Sequence, residues 1–131
     1  MITEDFVSFE VAKLLKEKGF DELCIFKYNS EGIRMKAGVA IDEWQNSELD
    51  DDECSCVSLQ MAMKWLREVH NILITIVPQE IGLGFDKLCY GIYRITEDLY
   101  QPLYNGKTDN LVNSYEEAVE AGIKYCLENL I

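Results

Sequence analysis

Apolar positions recur along the first twenty residues with the period of a helix. Val7, Val11, Leu14 and Leu15 share one face, and lysines at 13, 16 and 18 favour the later turns, where the helix dipole is negative. Gly19 supplies a C-terminal stop, because glycine adopts the left-handed conformation freely, and Phe20 can fold back on the last turn. Leu23-Cys24-Ile25-Phe26-Lys27-Tyr28 is apolar on both faces, as an inner strand would be. Beyond the polar turn Asn29-Ser30-Glu31-Gly32, the residues Ile33, Met35 and Ala37 alternate with Arg34 and Lys36. That period of two predicts a strand with one wet face, closing a hairpin on the inner strand.

A second helix is predicted from Leu59, Ala62, Met63, Leu66 and Val69, widened by Trp65 and ended by His70-Asn71. The β-branched run Ile72 to Val77 predicts a strand stopped by Pro78, followed by a loop to Asp86. Leu88 to Ile95 forms the next strand, and Leu99 to Tyr104 another, placed at a sheet edge by Pro102 and turned by Asn105-Gly106. Ser114-Tyr115-Glu116-Glu117 is a capping box, opening a helix with the stripe Ala118, Val119, Gly122, Ile123, Cys126, Leu127 and Leu130. The resulting expectation is one compact α+β domain over residues 1–131. Three helices would pack on a largely antiparallel sheet of four to five strands, in the order α-β-β-α-β-β-(β)-α.

One stretch breaks these periods. No Lys or Arg occurs between Ala37 and Met63, while Asp42, Glu43, Glu48, Asp50, Asp51, Asp52 and Glu53 supply seven acids. A strand can persist through Val39 and Ile41, but an exposed acidic loop is expected at about 42–56, since like charges repel and no apolar period survives from Gln45 to Cys56. The whole chain carries 24 acidic against 12 basic residues, a net charge of -12. Nucleic-acid affinity is largely phosphate neutralisation, so direct nucleic-acid binding is disfavoured, as is docking to an anionic membrane. The C-terminal half has the helix-strand-strand-strand-helix order of a double-stranded RNA-binding domain. From Val57 onward, however, six basic residues face ten acidic ones, where such a domain needs a basic face.

No apolar run reaches the roughly 20 residues of a membrane span. Acids near Met1, at Glu4 and Asp5, stand where a secretory signal would place positive charge. Cys24, Cys54, Cys56, Cys89 and Cys126 are odd in number and mostly sit in apolar patterns, which favours five free thiols in a reducing cytoplasm.

The candidate chemistry is sparse. Asp50, Asp52 and Glu53 are hard oxygen ligands, but an EF-hand would need an oxygen ligand, Gly and Glu where Cys54, Ser55 and Met61 stand. Cys54-x-Cys56 lacks the second pair that a closed zinc site requires. His70 is the single histidine, and its place at a helix end suits a capping role. Gly82-Leu83-Gly84 is an incomplete phosphate fingerprint followed by a strand. No residue is assigned to catalysis, a cofactor or a metal. Asp50, Asp51, Asp52 and Glu53 are the candidate partner-binding residues, for a protein partner that would be basic.

Four segments carry a resemblance: Glu4 to Asp21 (EDFVSFEVAKLLKEKGFD), Asn46 to Cys54 (NSELDDDEC), Leu59 to Asn71 (LQMAMKWLREVHN) and Asn113 to Ile131 (NSYEEAVEAGIKYCLENLI). They look like a family of small acidic proteins from phage-derived and mobile-element regions of gut bacteria, with no assigned activity. The resemblance implies a bacterial cytoplasmic, accessory role. Two classes of function remain: a non-catalytic accessory or modulator acting by macromolecular interaction, or a small-ligand-binding protein or enzyme with a pocket near His70.

Overall fold

Ser8 opens the first helix as its N-cap, accepting a hydrogen bond from the Val11 N–H through its hydroxyl, and α1 runs Phe9–Glu17. Its end is a full Schellman motif: the Phe20 N–H bonds to the Leu15 carbonyl and the Gly19 N–H to the Lys16 carbonyl, with Gly19 at φ 98°. Phe20 is thereby tucked into the core, 1% exposed. The computed structural model that shows this describes residues 1–38, 43–81, 84–97, 99–105 and 111–131. Val39, Ile41 and Asp42 of the expected strand and acidic loop, Gly82-Leu83 and Gly106 lie outside them.

The chain divides into two compact units, Met1–Ser58 and Leu59–Ile131. Among the described residues each has its own three-stranded antiparallel sheet, which corrects the expectation of one sheet with four to five strands. In the first unit β1 (Phe26–Tyr28) lies between β2 (Arg34–Lys36) and β3 (Cys54–Ser55). The inner place of β1 and the hairpin follow the expectation, and Asn29 locks the turn by accepting the Glu31 and Ile33 N–H groups on its side-chain oxygen. The two faces do not follow it. Leu23 and Ile25 are exposed, and so are Ile33 and Met35, while Arg34 on the opposite face lies over the rings of Phe6 and Phe26 at 4.6 and 5.2 Å. Aromatic faces attract a guanidinium, so Arg34, although exposed, rests on the rings of Phe6 and Phe26 while neither face of β2 is buried.

In the second unit α2 (Leu59–His70) ends at Asn71, whose φ of 56° is left-handed. β4 (Ile72–Ile81) and β5 (Gly84–Ile95) form a long hairpin, and β6 (Tyr100–Asn105) pairs on the far side of β5. The strand order β4-β5-β6 makes β4 an edge, where a proline is tolerated, so pairing continues through Pro78 opposite Leu88 and replaces the expected loop. The expected edge position of Pro102 holds, beside a register shift between Ile92 and Tyr93. Val112 adds an isolated bridge to Leu88. α3 (Tyr115–Asn129) is capped by Ser114, and it buries Ala118, Val119, Gly122, Ile123, Cys126 and Leu127. Gly122 lets the helix approach the sheet closely: a Cβ there would lie 2.9 Å from Ile74 Cγ2 and 3.4 Å from the Tyr90 ring. Tyr90, Tyr104 and Tyr125 pack together beside it, with Tyr104 and Tyr125 centroids 4.4 Å apart.

Candidate functional site

Within the stretch expected as an exposed acidic loop at about 42–56, Glu43, Ser47, Glu48 and Asp50 to Asp52 are exposed, whereas Asn46 is buried and Cys54–Ser55 form a strand. The folded part starts from Trp44, which exchanges backbone hydrogen bonds with Cys24, and continues through a 3-10 turn at Asn46–Glu48. Asn46 is buried, and its amide donates to the Phe20 carbonyl at 2.6 Å while its side-chain oxygen accepts from the Ser55 N–H at 2.8 Å. Asp21 adds a second tie by accepting the Ser47 N–H at 2.7 Å. The stretch then closes into β3, where Tyr28 pairs with Cys54 and Lys27 with Ser55.

Bases absent from the local sequence arrive through the fold. Lys16, in the last turn of α1, donates from Nζ to the carbonyls of Asp50 and Glu53, both at 2.7 Å. These two carbonyls bracket a turn in which the Glu53 N–H bonds back to Asp50. Lys27 forms an ion pair with Glu53 Oε2 at 2.7 Å, and its ammonium also lies 4.9 Å from the Trp44 ring centroid. The four candidate residues therefore separate into two sets. Glu53 is half-buried and engaged within the fold, whereas Asp50, Asp51 and Asp52 are exposed, along with Glu43 and Glu48. Two open clefts flank Lys16: one of about 330 Å³ lined by Gly19, Phe20, Asp21, Asn46 and Ser47, and one of about 360 Å³ lined by Lys13, Glu17, Asp51, Glu53 and Cys54.

The hydrogen bond from Lys27 holds the Glu53 carboxyl below its ordinary value of 4.5. A depressed carboxylate stabilises the fold above its unfolded-state pKa, and that contribution is lost as pH falls through the folded-state value. Glu53→Gln is expected to cost about 1 kcal/mol or less at pH 7, and the difference from the native chain should vanish as pH falls below 4.5. Chemical denaturation of both proteins across that range checks it; a difference that grows on acidification contradicts the assignment.

All five cysteines are free and buried. Burial pushes the Cys24 and Cys54 thiols up to about 11 and Cys126 up to about 12, and it raises Cys56 as well. These groups are core side chains in their thiol form, poorly suited to nucleophilic attack. Cys54 and Cys56 are 1% exposed, which removes them from the surface that the sequence assigned to an acidic loop. Among the described residues no group of three or more His, Cys, Asp and Glu side chains is gathered for a metal ion. His70 lies in the second unit at the end of α2, its ring edge-on to Trp65 with centroids 4.7 Å apart, and neither cleft beside Lys16 includes it.

Asn46 is the residue that sequence reasoning missed. A polar side chain that bonds to two distant backbone groups leaves no periodic trace, and within NSELDDDEC it reads as one more hydrophilic position. Among the described residues no helix is long and apolar enough to cross a membrane. Comparison with family models, with curated proteins and with solved structures finds no match for the chain.

Proposed function

We propose that this protein is a non-catalytic accessory or modulator that acts by binding a basic protein partner through Asp50, Asp51 and Asp52. The observation that carries the reading is the placement of these carboxylates on a fixed turn. Their side chains are exposed, while Lys16 clamps the backbone at both ends of the turn, through the Asp50 and Glu53 carbonyls. Mutual repulsion of carboxylates costs stability, and a turn held this way spares the entropy of ordering them when a partner binds. The first unit concentrates the charge, with fourteen acidic residues against six basic ones, a net of -8. Such a field speeds the encounter with a basic surface. The resemblance to small acidic proteins of mobile elements supports an accessory role of this kind in a bacterial cytoplasm.

Glu53 belongs to the support of the turn, with Lys16, Lys27 and Asn46, and its amide would loosen the fold. The informative variant is therefore Asp50→Asn with Asp51→Asn and Asp52→Asn. Tagged native protein is expected to capture a basic protein from bacterial lysate at low salt and to release it at high salt. The triple variant, folded as the native chain, should capture about tenfold less or worse. Equal capture by the two proteins contradicts the proposal.

A further inference from the structure

The outer edge of β2 is an open sheet edge among the described residues. Hydrogen bonds from the Asn29 N–H to the Ile33 carbonyl and from the Ala37 N–H to the Ile25 carbonyl fix the phase of the hairpin. Residues 33, 35 and 37 thus turn their backbone groups toward β1, and Arg34 and Lys36 turn theirs away from it. Among the described residues no strand pairs with that edge. An open row of N–H and C=O groups accepts an extended backbone.

The side chains specify which one. Ile33 and Met35, 54% and 45% exposed, point to one face, where Lys27, paired with Glu53, stands opposite Met35 and Ile25 opposite Ala37. Arg34 and Lys36 project from the other face, and both are exposed. In a chain of net charge -12, this edge presents two bases on one face and the apolar Ile33 and Met35 on the other. We infer that β2 receives, by strand addition, an extended peptide segment in which acidic residues alternate with apolar ones. Residues directly opposite each other in an antiparallel pair share a face, so two acids spaced by one residue meet Lys36 and Arg34. The apolar residues between and beside them cover Met35 and Ile33. A second copy of the chain fits this edge poorly, because antiparallel β2–β2 pairing centred on Met35 sets Arg34 of one copy against Lys36 of the other.

The probe is a labelled synthetic peptide, Ile-Glu-Val-Glu-Ile-Glu-Val, blocked at both ends and titrated with the full chain by fluorescence anisotropy. The solution is held at about 0.15 M salt, where the Debye length of about 8 Å screens the long-range repulsion by the net charge. Saturable binding is expected, and the same peptide with Lys for each Glu should bind about tenfold more weakly. Lys36→Pro removes an outward N–H and a charge without removing a bond to β1, and it is expected to abolish binding. If that variant fails to fold, Lys36→Glu serves instead, and with Arg34 then facing one acid it should erase the preference between the two peptides. Absent binding or equal binding of the two peptides by the native chain, or unchanged binding by the folded Lys36 variant, overturns the inference. So does a dimer in sedimentation that Lys36→Pro dissociates, since the occupant would then be a second copy.

Discussion

Ile123→Ala is expected to lower the stability of the protein by about 2–4 kcal/mol. Ile123 is completely buried on the face of α3 that also holds Val119, Cys126 and Leu127. That face is pressed close to the sheet at Gly122, where Ile74 leaves no room for a Cβ. Neighbours packed so tightly relax little into the space that alanine leaves, so the lost transfer energy and the cavity both count. Chemical denaturation measures the difference, and a loss below about 1 kcal/mol would remove Ile123 from the core.

Asn46→Ala is the second large effect, expected at about 2–4 kcal/mol. The substitution leaves the Phe20 carbonyl and the Ser55 N–H without the partners they have in the native chain, at a buried site where an unsatisfied group costs about 1–3 kcal/mol. Asn46→Asp separates the two bonds. It keeps an acceptor for Ser55 but sets a carboxylate against the Phe20 carbonyl, so it should be at least as destabilising as alanine. An alanine variant within about 0.5 kcal/mol of the native chain would show that the acidic stretch does not depend on this residue.

The sequence displays the helices because each buries one stripe against a core, and burial at a period of 3.6 residues leaves a visible pattern. For α3 the apolar stripe and the buried residues coincide from Ala118 to Leu127. The hairpin displays its alternation but not its orientation. Period two separates Ile33 and Met35 from Arg34, but both faces of β2 are exposed, and only the rings of Phe6 and Phe26 show which of them makes a side-chain contact. β3 is two residues long, too short for any period, and its pairing follows from the Asn46 tie upstream. The candidate carboxylates were legible as a charge run, but their division was not. Glu53 differs from Asp50, Asp51 and Asp52 because Lys27, 26 positions away in the chain, folds against it.

That division makes the central claim measurable. In the proposed function Asp50, Asp51 and Asp52 meet a basic partner, while Asn46 and Lys16 hold the turn that carries them. Once the partner is captured, its association and dissociation rates are to be measured at two salt concentrations for the native chain, the Asp50/Asp51/Asp52-to-Asn variant and Asn46→Ala. The triple variant should associate more slowly and lose most of the salt dependence, because the steering charge is gone. Asn46→Ala keeps that charge, so it should associate at nearly the native rate and dissociate faster. Association of the triple variant at the native rate, with the native salt dependence, would contradict the account.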